Sequence, residues 1–502
     1  MNIRQAKEQI ENAVKVYLKK DEYGDYRIPL VRQRPIFLVG APGIGKTAIM
    51  EQIAQELGIA LVSYSMTHHT RQSALGLPFI TKKNYGGQEY DVSEYTMSEI
   101  IASVYETMEE TGIKEGILFL DEINCVSETL SPSMLQFLQY KVFGRHQVPE
   151  GWVIVTAGNP PEFNKSVREF DVVTMDRLKI MEVEADYGIW KKYARERHIH
   201  NGIITYLDLK KEDFYHIETT VNGRSYVTAR GWEDLSETLL LYEEEEITVD
   251  ETLIAQYIHN DRIAKEFAAY YDIYQKYKKD YKVNEILEGK ATEQIKKRAS
   301  MARLDERLTL VGMLVEKIRM KVQENMELSD ALSDLMKPLK ALKENIPETA
   351  LDVAEKVAKL EEAQKGRFEQ LLKAGALSDA EKRKLRFLEN FYRDVAKEIR
   401  QNDGVSGEDG FAVVNTCFQR EVARMKADNA SIQSKIHEMF VFVEEVFGDG
   451  NEMLIVVTEL TVNTYTARFL SLFGSEDYTK YQSKLMLSER NDDILAEIDT
   501  VL

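Results

Sequence analysis

The stretch Gly40-Ala41-Pro42-Gly43-Ile44-Gly45-Lys46-Thr47 follows the apolar run Ile36-Phe37-Leu38-Val39 and precedes a helix-like segment from Ala48 to Leu57. That order reads as buried strand, glycine-rich turn and helix. Such a turn points consecutive backbone N–H groups into one concavity at a helix N-terminus, where the helix dipole also favours an anion. Glycines keep side chains out of the way. The concavity suits a di- or triphosphate, with Lys46 placed to reach the β- and γ-phosphates and the Thr47 hydroxyl to ligate Mg²⁺. The competing reading, a surface turn, is disfavoured by the framing strand and helix and by the Lys-Thr pair.

A second apolar run, Ile117-Leu118-Phe119-Leu120, ends in Asp121-Glu122. Beside a phosphate loop, one carboxylate can hold the water shell of Mg²⁺ while its neighbour polarises a water for attack on the γ-phosphate. Taken alone, the pair could equally be solvated acids at a strand end. Trp152 to Ala157 reads as a further strand, ending in Gly158-Asn159-Pro160. An amide at a strand tip is often a turn residue. A strand lying beside the phosphate-loop strand would instead bring Asn159 to the γ-phosphate, at the crevice where such sheets bind ligands.

The 502 residues suffice for two or three domains, and a formal net charge of −19 argues against a chain that coats nucleic acid or an anionic membrane. Only Cys125 and Cys417 are present, which excludes a disulfide framework and a zinc spacing. The charged N-terminus and the lack of a membrane-length apolar run lead to the expectation of a soluble, unprocessed, cytoplasmic protein. His68-His69 is a poor metal site, because adjacent strand residues point to opposite faces and no third ligand is spaced to join them.

Along the chain, Ile3 to Tyr17 has helical periodicity, Ile59 to Tyr64 reads as a second strand, and Lys179 to Val183 as a fifth. Leu77 to Tyr95 reads as a hairpin turning at Asn84 to Gly87, and Val142 to Val148 as a short loop or hairpin. The acidic run Glu243 to Glu246 suggests a boundary. Beyond it, Tyr270, Tyr274, Tyr277 and Tyr281 share a helical face interleaved with lysines. Such a face can stack on single-stranded nucleic acid, although the helical period favours a packed face. Met301, Leu304, Leu308, Val311, Val315, Ile318 and Val322 form a heptad seam. A second seam, Leu385 to Ile399, follows the capping box Ser378-x-x-Glu381. Pro338 and Pro347 are expected to interrupt the helices, and Gly404 and Gly407 to close the later one. The expected organisation is a lead-in over 1–30, an α/β domain over 31–183, a helical lid and connector over 184–279, and an all-α bundle or stalk over 280–502.

The order of motifs resembles that of an AAA+ ATPase, with Walker A at 40–47, Walker B at 117–122, sensor 1 at Asn159, and Asp176-Arg177 before the fifth strand. Within that group it is most similar to the MoxR family, on Gly-Ala-Pro-Gly-Ile-Gly-Lys-Thr, Phe-Leu-Asp-Glu-Ile-Asn and Pro-Glu-Gly-Trp-Val-Ile-Val-Thr-Ala-Gly-Asn-Pro. The segments at 76–96 and 141–148 are similar to that family's helix-2 and pre-sensor-1 insertions. The resemblance covers about residues 30 to 245. It implies an α/β P-loop fold with a parallel sheet of order 5-1-4-3-2 and a helical lid. It also implies a ring, commonly hexameric, with ATP and Mg²⁺ between subunits. Arg177 would be the arginine finger given to the neighbouring subunit, with Arg168 in reserve; the lesser alternative is a structural partner of nearby acids. Arg230, with Arg224 close by, would be the sensor 2 arginine of the lid. Many family members carry arginine where this chain has Cys125. The resemblance further implies a chaperone-like remodelling or maturation factor acting with a von Willebrand factor A domain protein. Two other readings compete: a nucleic-acid-stimulated motor or loader, and a non-hydrolysing scaffold.

Overall fold

The computed structural model describes residues 1–68, 74, 76–163, 167–220, 223–401 and 405–484. The chain falls into two compact units, Met1–Ile189 with Ala363–Arg383, and Trp190–Glu362 with Lys384 onward.

The first unit runs α1 (Ile3–Tyr17), β1 (Ile36–Gly40), α2 (Lys46–Leu57), β2 (Ala60–Ser65), β3 (Pro78–Tyr85), β4 (Gln88–Tyr95), α3 (Glu99–Thr111), β5 (Gly116–Asp121), α4 (Ser131–Tyr140), β6 (Val142–Phe143), β7 (His146–Gln147), β8 (Trp152–Gly158), α5 (Val172–Met175) and β9 (Lys179–Val183). Five of these strands form one parallel sheet in the order β2-β5-β8-β1-β9. Counted by the five strands read from the sequence, this is the expected 5-1-4-3-2. Central strands covered on both faces need continuous apolar runs, and β8 is buried at every position from Trp152 to Gly158. Helix α1 buries the stripe Ala6, Ile10, Ala13 and Val14, and Asn2 closes its N-terminus with a capping box.

Strands β3 and β4 form a separate ribbon with most residues exposed on both faces. Its reversal is Gly86-Gly87, both at positive φ, as a two-residue hairpin requires. Strands β6 and β7 form the second short ribbon.

The second unit is almost wholly helical. It contains α6 (Tyr187–Glu196, begun in the first unit), α7 (Asn201–Leu209), the hairpin β10 (His216–Thr220) and β11 (Gly223–Val227), α8 (Ala229–Glu244), α9 (Glu251–Ala255), α10 (Asp261–Tyr281), α11 (Val283–Leu287), α12 (Glu293–Met301), α13 (Leu304–Glu344), α14 (Ala350–Lys373), α15 (Asp379–Gln401), α16 (Gly407–Phe447), α17 (Asn451–Val462) and α18 (Thr464–Phe473). Helices α14 and α15 carry the chain out of this unit and back, through 363–383.

The core of the second unit gathers Leu310, Val311, Leu314, Val315, Ile318 and Val322 of α13 against Ile432, Ile436, Met439 and Phe440 of α16 and Val456, Val457 and Leu460 of α17. The seam is therefore real but begins later than its periodicity suggests. Met301 closes α12 and Leu304 opens α13, and both are exposed. Pro338 does not interrupt: it sits inside α13, which continues to Glu344 because Leu335, Leu339 and Leu342 on either side are buried. Gly407 opens α16 behind the Ser406 cap instead of closing a helix. Gly404 lies outside the described residues.

Tyr274 and Tyr281 are buried in this core, and Tyr270 and Tyr277 pack against it. The tyrosine face is thus a packing face. Glu243, in the run expected to mark a boundary, is half-buried: its carboxylate accepts from His200 Nε2 at 3.0 Å, Tyr271 at 3.1 Å, Lys278 at 2.6 Å and Gln275.

Among the described residues, no helix is long and apolar enough to cross a membrane, and no cluster of His, Cys, Asp and Glu is placed to hold a metal. His69 lies outside the described residues.

Candidate active site

Strands β5, β8 and β1 are consecutive neighbours in the sheet, so their C-terminal ends meet at one edge. The loop that leaves β1 is built for close approach. A Cβ on Gly40 would lie 2.6 Å from the Val183 carbonyl oxygen, and Gly45 holds φ +91° immediately before α2. No side chain caps the first turn of α2, which leaves its amide donors directed at the loop's concavity.

Lys46 is buried at 8% exposure. Its ammonium donates to Gly40 O at 2.7 Å, Ala41 O at 2.9 Å and Asn159 Oδ1 at 3.0 Å. The Thr47 hydroxyl donates to Asp121 Oδ2 at 3.1 Å, while Asp121 Oδ1 accepts from the Glu122 amide at 2.8 Å. Lys46 thereby reaches the tip of β8 and Thr47 the acidic end of β5.

Glu122 sits in the left-handed region, φ 55° and ψ 36°, a costly backbone for a residue with a Cβ. Its Oε2 accepts from both Ser65 Oγ and Thr67 Oγ1, each at 3.0 Å. The register explains the meeting, since Ser65 of β2 pairs with Asp121 of β5.

Asn124 is buried in the turn that follows, and its Nδ2 donates to Asn159 O at 2.8 Å. This contact depends on Gly158, where a Cβ would fall 2.5 Å from Asn124 Oδ1. Ser65 and Thr67 belong to no sequence motif, whereas Asn124 closes Phe-Leu-Asp-Glu-Ile-Asn. The signal for Ser65 and Thr67 is polarity at and just beyond the end of a strand.

Cys125 is half-buried. Burial, then the charges of Glu122 and Asp121, push its thiol up, so it is no reactive thiolate.

The candidate arginines lie on other elements. Arg177 lies exposed on the turn between α5 and β9, its amide donating to Thr174 O at 3.1 Å. Arg168 pairs with Glu128 at 2.5 Å. Arg230 is the exposed second residue of α8, in the second unit, and Arg224 is exposed on β11.

The two ribbons are tied to each other: Glu94 of β4 pairs with Arg145 in the β6–β7 turn at 2.5 Å, and His146 Nε2 meets Tyr95 O at 3.3 Å.

Residues 36–175 match the family model described as ATPase family associated with various cellular activities (AAA). No curated protein matches the chain. The matched segment runs from the start of β1 to the end of α5, and so contains the loop, the acidic pair and Asn159.

Proposed function

We propose that the AAA ATPase domain of the first unit drives an AAA+ ring of the MoxR type, which hydrolyses ATP to remodel or mature a protein client with a von Willebrand factor A domain protein as adapter. The observation that carries hydrolysis is the pair of hydrogen bonds from the adjacent residues Lys46 and Thr47 to Asn159 and Asp121, with Glu122 beside them.

The residues fit ATP with Mg²⁺: amide donors at α2, a buried ammonium, and a hydroxyl facing a carboxylate. Bound Mg²⁺ supplies charge neutralisation at the phosphate oxygens, and Thr47 and Asp121 would hold it. Residues 40–45 cradle the phosphates through their backbone, and Lys46 balances β- and γ-phosphate charge. Asn159, steadied by Asn124, orients the terminal phosphate. Glu122 accepts the proton of the attacking water. Ser65 and Thr67 occupy its Oε2, so they must give way before that oxygen serves as base. Arg177, exposed on its turn, would reach a neighbour's γ-phosphate, and Arg230 would contact ATP from the lid. The MoxR assignment, the hexamer and the adapter rest on the resemblance of the motifs and of the two ribbons. The nucleic-acid reading loses its motive, since the tyrosine face is core.

Tagged Glu122→Gln protein tests the reading. It should retain ATP binding, lose turnover, and retain an adapter with one dominant client in an ATP-dependent pull-down from native extract. Unchanged turnover refutes Glu122 as base. Capture of nuclease-sensitive nucleic acid in place of a client refutes the remodelling role.

A further inference from the structure

Strand β2 is one of the two edge strands of the sheet. Its inner side pairs with β5, but its outer side is also engaged: Leu61 N donates to Ala374 O at 3.0 Å. Ala374 stands in the turn between α14 and α15, more than 300 residues along the chain from β2. The turn is built to approach a backbone closely. Ala374 and Ala376 are buried within the sheet's own apolar core, and Gly375 reverses the chain at φ +64°. Side chains clamp it from the flank. Gln370 Nε2 donates to Thr111 O, and Lys373 pairs with Glu110 at 3.2 Å, both at the C-terminal end of α3.

The same strand ends at the hydrolytic carboxylate. Ser65 lies four residues beyond Leu61, about 13 Å along an extended chain, and with Thr67 it holds Glu122 Oε2. Leu61 and Ser65 belong to one six-residue strand, so the contact on its outer edge and the hold on Glu122 act on the same element.

We propose that the turn joining α14 and α15 is a positioning element for ATP hydrolysis: it fixes the outer edge of β2 and, through that strand, the hold of Ser65 and Thr67 on Glu122. The proposal rests on the reading of Glu122 as the base. Loosening the turn frees the end of β2 and releases Glu122, so basal hydrolysis rises. Residues 363–373 of α14 and 379–383 of α15 belong with the turn to the unit that contains the sheet.

The test is steady-state ATPase kinetics on the full chain. Leu61→Pro removes the one donor that meets Ala374, and proline is tolerated on an edge strand whose N–H faces away from the ladder. Gln370→Ala with Lys373→Ala removes the side-chain clamp without touching the core. Each should raise kcat about fivefold, as expected for weakening one hydrogen bond to a carboxylate, with KM for ATP unchanged. On a Ser65→Ala, Thr67→Ala background, itself raised in kcat, neither should add anything. Unchanged kcat in a folded form of either variant, or gains that multiply with the Ser65 and Thr67 changes, overturns the proposal. Glu122→Gln run in parallel separates the two readings: if it still turns over, the assignment of Glu122 fails and this proposal with it. If it is dead while the turn variants behave as wild type, the proposal alone fails.

Discussion

At position 158 a methyl group would land 2.5 Å from the Asn124 Oδ1 atom, and the side chain it displaces is the one that holds Asn159. Gly158→Ala should therefore lower kcat by about tenfold, roughly 1.4 kcal/mol of transition-state positioning, while KM for ATP and the thermal midpoint change little. A coupled ATPase assay and a melting curve check this. The residues of the loop, the acidic pair and Asn159 were readable because each lies in a local motif whose spacing is set by one strand and one turn. Ser65 and Thr67 were not, nor was the role of Asn124. Their roles arise from the register of β2 on β5 and from the approach of β8 to a turn, and no window of sequence contains both partners.

At the scale of elements, helical periodicity located the helices and strand-like apolar runs located the sheet, because burial repeats along an element. It did not locate helix ends, where a single side chain decides. The last turn of α8 is a case. Burial alone would raise the Glu243 carboxyl, but hydrogen bonds and charge from His200, then Lys278, outweigh it and hold the group well below the usual carboxylate range. The pair joins the start of α7, the end of α8 and α10. Glu243→Ala should cost the second unit about 2 kcal/mol, the penalty for leaving buried donors unpaired. A carboxyl whose folded pKa is depressed stabilises fully above its ordinary value of 4.5, and that stabilisation is lost as pH falls toward the folded value. Urea melts of wild type and variant should thus differ at pH 7 and converge as pH is lowered below 4.5. A gap that persists at low pH would refute the ion-pair account.

For the whole molecule, the sequence showed an α/β domain followed by helices. What it concealed is that residues 363–383, deep in the helical region, belong to the unit that contains the sheet. Lys373-Ala374-Gly375-Ala376 has the composition of any helix-ending turn, and only its position against β2 distinguishes it. Ring assembly is testable at this scale too. Arg177→Ala subunits should bind ATP but turn over poorly, and mixing them with Glu122→Gln subunits should restore turnover if the arginine serves a neighbour's site. No restoration in co-assembled mixtures would remove Arg177 from that role.

The turn on β2 has a further consequence, for solubility. An uncovered edge strand presents a row of unpaired backbone groups that a second copy can extend into a continuous sheet. Here the apolar strand Ala60-Leu61-Val62 is the edge at risk, and the cover comes from the far end of the same chain. Replacing residues 370–376 with a flexible glycine-serine segment should therefore yield a protein that self-associates through β2. Light scattering should rise with concentration, and Leu61→Pro in the same background should suppress the rise by blocking that edge.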